Sequence, residues 1–535
     1  MKSFKLSNIK SFSEYSEVEL KKINIFVGRN SSGKSSLIRF PVVLSQTFQE
    51  DIHTPLLLFG KLIDYGNFDD VIYNHEGEKF AFGFGFSAKE LRHEIMRRNN
   101  IHIHDMKNLM RHFYKNFDEV DIEVEVKKVN KKMIVDSFHL LIDKKLVLTI
   151  KREAKKNKYD IRIHGVLEIG KMGLSELTNP ELINMNVSFN KFIPDIQMYG
   201  EILKDTFKNN LGIKKEDEEL FNVISNHFTN REYLYQDLFE LESNIAEGII
   251  PEGMKKRIEE LNTIMKNLLI YSAILSSIYT KLNKFSNQVT YIGPFRENPE
   301  RVYRDSENSF NDVGKNGENT SLLLRQADQN KNFLLNKVSD WFKASMGYTI
   351  NIDEIENSNL FKVVVSSTDG RSKDNLIDVG YGIAQVLPIV TQIFMEHSSN
   401  DEFRRTVYNM GKKSTIIIEQ PELHLHPAAQ ANLANLFVEK SLSEIDSRIL
   451  IETHSEHLIR RLQVLIADPD IKINHQDVAF YYIDKSNDGS SCVKRMELND
   501  KGQFTDKWPS GFFDKGYELS KELLSMSKKR GDREK

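Results

Sequence analysis

The sequence predicts an α/β protein built round a mainly parallel β-sheet, and three observations support this prediction. The stretch 23–36 reads as an apolar strand, a loop rich in glycine and serine, and the start of a helix. Four later apolar runs, at 362–366, 414–419, 448–452 and 478–483, are separated by helical patterns, which is typical of a parallel sheet covered on both faces. Between these two parts, alternating segments joined by Asn, Lys and Asp turns predict an antiparallel β meander.

The composition is that of an ordinary soluble globular protein. The 535 residues are 40% apolar and 28% charged, with a net charge of −3, so any nucleic-acid contact must use a local patch. The single cysteine, Cys492, excludes an internal disulfide and a cysteine zinc cluster, and favours a reducing cytoplasm. Because no run reaches the roughly 18 apolar residues of a membrane span, we expect no membrane segment.

The loop at 28–36 has the pattern of a phosphate-binding loop, G-x-x-x-x-G-K-S between a strand and a helix. The glycines let backbone N–H groups surround a phosphate chain, Lys34 reaches the terminal phosphates and Ser35 can bind Mg²⁺. The alternative is a Gly/Ser turn at a helix start, which does not explain the full pattern. The predicted phosphate-binding residues are Gly28, Arg29, Asn30, Ser31, Ser32, Gly33, Lys34, Ser35 and Ser36.

The chain divides into five predicted regions. The two halves of the sheet domain, 1–79 and 288–500, are separated by an antiparallel β lobe at 80–170 and a helical insertion at 171–287, and a tail follows at 501–535. Within the first region we predict strands over 3–9 and 17–27, then a helix from Lys34 to about Gln46. The tail ends in a charged stretch that is expected to fray.

The helical signal begins near Met172 and is clearest over 253–285. Apolar residues there follow alternating steps of three and four, a heptad seam interrupted by Ser272. A seam of this length indicates a coiled-coil arm, a dimer surface, or packing within the same chain, and the pattern does not choose among them. Lysines in the turns of the β lobe indicate a solvated strand edge, or contact with a phosphate backbone.

Three further segments carry predicted chemistry. The apolar strand 415–419 ends in Glu419, which would place a carboxylate beside phosphate-bound Mg²⁺. The strand 448–452 is followed by His454, which can hydrogen-bond a terminal phosphate. The segment DVGYGIAQ at 378–385 opens a helix with two glycines and so forms an anion-binding helix start.

Together, in this order, the phosphate loop, the long insertion, the Gly-rich helix start, IIIEQPELHLHP and ETHS resemble an ABC-type ATPase head of the SMC/Rad-fifty and OLD kind. The segments YIGPFRENPERVY, DVGYGIAQVLP and WPSGFF are similar to a stand-alone bacterial branch, in plan like the ATPase subunits of Septu, retron-Septu and PARIS anti-phage systems.

The resemblance implies ATP and Mg²⁺ as cofactors and two heads that sandwich two ATP molecules. Gly380, Gly382 and Gln385 would then contact the nucleotide of the other subunit. It further implies a homodimer or higher oligomer that controls a separate nuclease or toxin subunit, with DNA or a phage product as the trigger. Gln46 resembles the glutamine that senses Mg²⁺ in some members.

One departure from transporter ATPases concerns hydrolysis. Gln420 stands where the catalytic Glu is expected, and an amide can orient a water but cannot accept its proton. We therefore expect tight ATP binding and slow hydrolysis, unless Glu422 or His454 acts as the base. A second departure is His426, where transporters carry Asp.

Other functions are less well supported. A DNA repair or maintenance ATPase of the SMC/Rad-fifty kind is the main alternative, although one heptad segment gives only a short arm. A metabolic kinase or a transporter ATPase explains fewer features. The chain is not expected to be a nuclease, because Asp484 and Asp488 do not form a Toprim pattern. A zinc site at His424, His426, His454 and His457 lacks completing ligands.

Overall fold

The computed structural model describes residues 1–91, 117–153, 159–168, 173–183, 187–196, 252–398, 414–443, 447–508 and 515–531. The chain divides into two compact units. Unit 1 comprises Met1–Glu19 and Val43–Asn287, and unit 2 comprises Leu20–Val42 and Gln288–Lys535. The first strands and residues 43–79 thus group with the β lobe, whereas our predicted boundaries assigned them to the sheet domain.

The described strands are numbered in chain order. They are β1 Ser3–Ser7, β2 Ser16–Glu19, β3 Ile23–Gly28, β4 Lys79–Ser87, β5 Glu119–Val129, β6 Lys132–Ile142, β7 Lys145–Arg152, β8 Tyr159–Glu168, β9 Gly173–Ile183, β10 Val187–Asn190, β11 Ile193–Ile196, β12 Val289–Ile292, β13 Tyr303–Arg304, β14 Tyr348–Glu354, β15 Leu360–Ser367, β16 Lys373–Asn375, β17 Thr415–Glu419, β18 Arg448–Glu452, β19 Val478–Lys485 and β20 Ser491–Met496.

The described α-helices are numbered in the same way. They are α1 Lys34–Gln49, α2 Phe68–Val71, α3 Glu252–Ser286, α4 Thr320–Gln329, α5 Phe333–Met346, α6 Tyr381–Ser398, α7 Pro427–Ser443, α8 Glu456–Ala467 and α9 Lys515–Gly531. Helix α9 lies in the tail, and the last four residues of the charged stretch lie outside the described residues.

Unit 1 is built on an antiparallel sheet, whose described strands follow the order β2-β1-β4-β5-β6-β7-β8-β9. The predicted meander is confirmed from β4 to β8, with strand ends within two residues of the expected ones. Alternate side chains pack into an aromatic core, in which the rings of Phe82 and Phe192 meet edge to face at 5.0 Å. Two lysines beside the turn after β5 form ion pairs, Lys127 with Glu78 at 2.6 Å and Lys128 with Asp69 at 2.5 Å.

The helical signal expected from Met172 is wrong at its start. Residues Gly173–Ile183 form β9, which pairs antiparallel with β8, and β10 and β11 form a hairpin. The sequence of β9, GLSELTNPELI, has no strict alternation and contains Pro180. Pairing with a neighbouring strand therefore decides its conformation, as is common at a sheet edge.

The long helix α3 confirms the prediction over 253–285, but it is buried on more than its heptad seam. Ile264, Tyr271 and Ile274, which lie off the seam, are each 3% exposed or less. The Tyr271 hydroxyl donates to the Gly165 carbonyl on β8 at 2.8 Å. Of the alternatives left open, packing within the chain therefore describes this helix, and the coiled-coil arm does not.

One property of α3 departs from our expectation about membrane segments. Its part Ile258–Ser286 is long and apolar enough to cross a membrane, with a mean hydropathy of 1.2 over its most apolar window. Within the protein, however, 71% of that window is buried. Such burial is typical of a core helix.

Unit 2 contains the predicted parallel sheet, with the strand order β12-β17-β18-β3-β19-β20. All neighbours pair in parallel except β20, which forms the expected hairpin with β19. The sheet is thus assembled from both ends of the chain. The strand predicted over 17–27 is in fact two strands, β2 and β3, because the side chain of Asn24 bonds both the N–H and the carbonyl of Lys21 at 2.8 Å and fixes a turn there.

The run at 362–366 forms a strand, but not in the parallel sheet. It lies in β15, which pairs antiparallel with β13, β14 and β16 in a separate small sheet of unit 2. An apolar run predicts burial without specifying its neighbours, so this assignment was wrong. Near the chain end, Trp508 packs on Phe504, with ring centroids 4.8 Å apart, whereas 509–514 of the WPSGFF segment lie outside the described residues.

Candidate nucleotide-binding site

The phosphate loop leaves the carboxyl end of β3 at a position that only glycine can occupy. Gly28 has φ +151°, and a Cβ atom there would lie 2.0 Å from the Ile483 carbonyl oxygen on β19. The loop also contains Gly33 at φ +94° and Ser31 at φ +59°. The backbone is therefore bent as a phosphate cradle requires, and the following residue, Lys34, starts helix α1.

Lys34 lies inside this loop. Its side chain is buried, and Nζ donates to the carbonyls of Arg29 at 2.7 Å and Gly28 at 3.2 Å. Burial lowers the pKa of the Lys34 ammonium, and the nearby Glu452 and Glu422 oppose that shift. The ammonium thus lies against two carbonyls of the loop, from which it can reach terminal phosphates.

Ser35, the predicted Mg²⁺ ligand, is bonded to a carboxylate that we did not predict. Its hydroxyl donates to Oε1 of Glu452, at the end of β18, over 3.0 Å. Glu452 is 2% exposed, and no described residue bonds its other oxygen, Oε2. Burial, reinforced by the charge of Glu419, raises the pKa of Glu452 to about 7.

Glu419 ends the neighbouring strand, β17, as predicted, but its carboxylate is engaged by other side chains. Arg39 of helix α1 donates Nε to Oε1 at 2.6 Å and Nη2 to Oε2 at 2.7 Å, and the Tyr291 hydroxyl donates to Oε1 at 2.7 Å. Despite partial burial, these contacts raise the pKa of Arg39. The Mg²⁺ role of Glu419 stays a prediction.

The end of β17 is held by a buried arginine. Arg296 donates to the carbonyl oxygens of Glu419 at 2.7 Å and Gln420 at 3.1 Å, and burial lowers its pKa to about 10. Gln420 has φ +47°, and its N–H donates to the Glu452 carbonyl at 2.8 Å. The backbone around Gln420 is therefore fixed at the strand end.

Glu422 and His454, the alternative bases, are brought together. The His454 N–H donates to Oε1 of Glu422 at 2.6 Å, whereas Oε2 of Glu422 is buried without a partner among the described residues. Burial raises the pKa of Glu422. Partial desolvation together with the charge of Lys34 lowers the pKa of His454, which favours the neutral imidazole.

The Gly-rich helix start packs on the loop that follows β17. A Cβ atom at Gly382 would lie 2.5 Å from the His424 carbonyl oxygen, and the ring of Tyr381 meets that of His424 at 5.3 Å. Gln385 is buried, whereas a Cβ at Gly380 would meet nothing within 4 Å. Gly382 is therefore required for packing, and Gly380 is the more open of the two glycines.

Gln46 belongs to unit 1, where both ends of its amide are used. Nε2 donates to the Leu57 carbonyl at 2.6 Å, and Oε1 accepts from the Ile63 N–H at 3.2 Å. Its Mg²⁺-sensing role stays a prediction. Among the described residues there is also no cluster of three or more His, Cys, Asp or Glu side chains able to hold a metal ion.

Reasoning from the sequence missed Arg39, Tyr291, Arg296 and Glu452 as members of this site. Glu452 could have been predicted from the sequence. Glu419 was chosen because it ends an apolar strand, and Glu452 ends the apolar stretch 450–452 in the same way. The pairing of Arg39 with Glu419 could not be predicted from a local pattern, because the two residues are 380 positions apart in the sequence.

Oxygen donors in the site fit a magnesium ion. Mg²⁺ beside nucleotides is held by one or two protein oxygens, with phosphates and waters completing the shell. Ser35 and Glu452 supply such donors, and the buried Oε2 of Glu452, which has no partner among the described residues, could bind a cation there.

Two family models match this chain. The model of the AAA ATPase domain family (AAA_15) matches residues 1–459, and that of a protein of unknown function (DUF3696) matches residues 473–523. No curated protein matches the chain.

Solved structures of SMC heads are similar at low identity. The Smc head domain with an extended coiled coil, bound to the C-terminal domain of ScpA, from Pyrococcus furiosus is 12% identical with a TM-score of 0.36, over 98% of this chain and 99% of that one. The SMC head domain from Thermotoga maritima is 10% identical with a TM-score of 0.33, over 93% and 99%. Because the family model spans most of the sequence and the phosphate loop is formed, this chain belongs to the AAA ATPase domain family and has a P-loop ATPase fold.

Proposed function

We propose that the protein is an ATP-binding, slowly hydrolysing ABC-type ATPase subunit of a bacterial anti-phage defence complex. In this proposal, ATP-sandwiched dimers of the chain control a separate nuclease or toxin subunit in the cytoplasm. The ATPase part is supported by the family match and the formed phosphate loop. The defence role has the sequence resemblance as its support.

The loop itself supports ATP binding. Backbone N–H groups of 28–36 and the amino end of α1 favour a phosphate chain, and Lys34 adds a buried cation. When bound, Mg²⁺ supplies positive charge beside the phosphates, with Ser35 and a strand-end carboxylate as its protein donors. The Lys34 ammonium then exchanges two carbonyl contacts for phosphate oxygens.

One observation supports the proposal of slow hydrolysis: the residue that follows β17 is Gln420, which has an amide and not a carboxylate. The position is rigid because Arg296 and the Glu452 carbonyl hold the backbone of Gln420 and its neighbour. An amide there can orient a water molecule, but it cannot take the proton. Glu422 stays the alternative base, because its Oε2 has no partner among the described residues, although its Oε1 accepts from the His454 N–H.

Single-turnover phosphate release tests this directly. We expect wild-type hydrolysis well below the roughly 1–10³ s⁻¹ of typical enzymes, and a gain of about 10²-fold in Gln420→Glu. Gln476→Glu, which changes an exposed glutamine of the same unit, is the matched control and should leave the rate unchanged. Wild-type turnover within the enzyme range, or no gain in a Gln420→Glu protein that still binds ATP, would contradict the proposal.

A DNA repair or maintenance ATPase of the SMC/Rad-fifty kind remains the second candidate. That role requires the isolated chain to bind duplex DNA with a steep dependence on salt. The regulatory role instead requires co-purification with a separate effector subunit. Salt-sensitive duplex binding without any such subunit would favour the DNA function.

A further inference from the structure

We propose that Glu452, and not Glu419, supplies the carboxylate that binds Mg²⁺ beside Ser35, and that Glu419 instead positions the end of β17. This inference rests on the proposed function, because it assumes that the site takes ATP with Mg²⁺. It concerns two carboxylates that face each other as register partners on adjacent parallel strands.

Glu419 is already satisfied. Its two oxygens accept three hydrogen bonds, two from the Arg39 guanidinium and one from the Tyr291 hydroxyl. A bidentate Arg–carboxylate pair is among the strongest side-chain interactions, and here the carboxylate is buried. Binding a cation through Glu419 would require breaking this pair and leaving Arg39 beside the new positive charge.

Glu452, unlike Glu419, does not have both carboxylate oxygens bonded by described residues. Only its Oε1 is bonded, to the hydroxyl of Ser35, and its Oε2 is buried without a partner among the described residues. An unsatisfied buried carboxylate oxygen is costly, so a ligand that completes it is favoured. Glu419 is paired directly with Arg39, whereas Lys34 and Arg39 offset the charge of Glu452 only through space.

The sheet order places Glu452 closer to the phosphate loop. Strand β18 pairs directly with β3, with Glu452 opposite Phe26, whereas β17 lies one strand further away. Neighbouring strands are about 4.8 Å apart, so the Glu419 backbone is about that much farther from the loop strand. One serine and one carboxylate are sufficient for a nucleotide-bound Mg²⁺.

The experiment is calorimetric titration of ATP into the full chain, once with Mg²⁺ and once with EDTA. The ratio of the two affinities measures how strongly Mg²⁺ supports ATP binding, without any use of turnover. In Glu452→Gln we expect this ratio to fall at least tenfold, while the affinity in EDTA is unchanged. In Glu419→Gln, the matched control, the ratio should stay within about twofold of wild type.

A second variant, Ser35→Ala, distinguishes loss of the Mg²⁺ site from misfolding of the Glu452→Gln protein. Ser35→Ala should lower the Mg²⁺ ratio as Glu452→Gln does, and the double variant should lose no more than either single one, because the two groups serve the same cation. If the ratio of ATP affinities with Mg²⁺ and with EDTA fell in Glu419→Gln as much as in Glu452→Gln, or fell only in Glu419→Gln, the inference would be overturned. The proposal that the chain binds ATP would not be affected by this result. Absence of ATP binding to the wild-type chain in both buffers would overturn the proposed function as well.

Discussion

The two sheets of this protein use their polar side chains in different ways. In the antiparallel sheet of unit 1, polar groups bond to one another, as where His139 and His164 both contact the Thr149 hydroxyl, at 3.1 and 2.9 Å. In the parallel sheet of unit 2, polar groups gather beyond the strand ends. The buried carboxylate oxygens without a partner among the described residues, on Glu422 and Glu452, both belong to unit 2.

This difference indicates where a ligand is expected. Parallel strands bring all their carboxyl ends to one edge, and open α/β sheets bind ligands there. An antiparallel sheet has no such edge, so its polar residues stabilise the fold. Unit 1 is therefore expected to respond to mutation through stability, and unit 2 through both stability and binding.

The largest expected effect is that of Gly28→Ala at the end of β3. The new methyl group would overlap the Ile483 carbonyl oxygen, only 2.0 Å away, and must push β3 and β19 apart. We expect a loss of about 3 kcal/mol or more in the free energy of unfolding, together with loss of ATP binding. Chemical denaturation of unit 2, read by hydrogen exchange of peptides from β3 and β19, measures the first effect.

Gly370→Ala is the matched control. Gly370 also has a positive φ, +73°, but nothing lies within 4 Å of the Cβ that would be added. It should therefore cost only the backbone strain, on the order of 1 kcal/mol. Equal losses for the two variants would show that the close approach at Gly28 does not constrain the loop.

A smaller effect is expected on unit 1 when the pH falls. Desolvation lowers the pKa of both His139 and His164, so the folded state binds fewer protons at these sites than the unfolded state. The stability that this contributes is present above about pH 6.5 and is lost as the pH decreases through the lowered values. The charged groups that also act on the pair are Glu123, Glu125, Lys151 and Arg162.

Urea titrations at pH 7.5 and 5.5, read by pulsed hydrogen exchange of β6 to β8, measure this loss. In His139→Gln, whose amide can still bond Thr149, the midpoint should depend less on pH. His53→Gln changes an exposed histidine of the same unit and serves as the control. A pH dependence as steep in His139→Gln as in wild type would show that these histidines do not carry the acid sensitivity.

Much of this architecture was predictable, because it depends on local patterns. The phosphate loop is encoded within nine consecutive residues, and the alternation of β4 to β8 located those strands closely. The edge strand β9 and the sheet to which β15 belongs were not predictable in this way. Their conformation depends on pairing partners, which periodicity does not identify.

The candidate site was predicted in part for the same reason. Glu419, Gln420 and His454 were found from strand ends and motif order. The pairing of Arg39 with Glu419 and of Ser35 with Glu452 joins residues separated by 380 and 417 positions. Only the sheet order brings these residues together. As a result, Glu452, and not the predicted Glu419, has a carboxylate oxygen without a partner among the described residues.

We propose that ATP, held by this loop and hydrolysed slowly, drives assembly of the chain. Mass photometry of the purified protein with and without Mg²⁺-ATP tests it most directly, with Lys34→Ala as the control that lacks the loop cation. We expect the wild-type mass to double or rise further in Mg²⁺-ATP and to remain raised for minutes, and the mass of Lys34→Ala to stay constant. An unchanged wild-type mass at saturating Mg²⁺-ATP would show that ATP does not drive assembly.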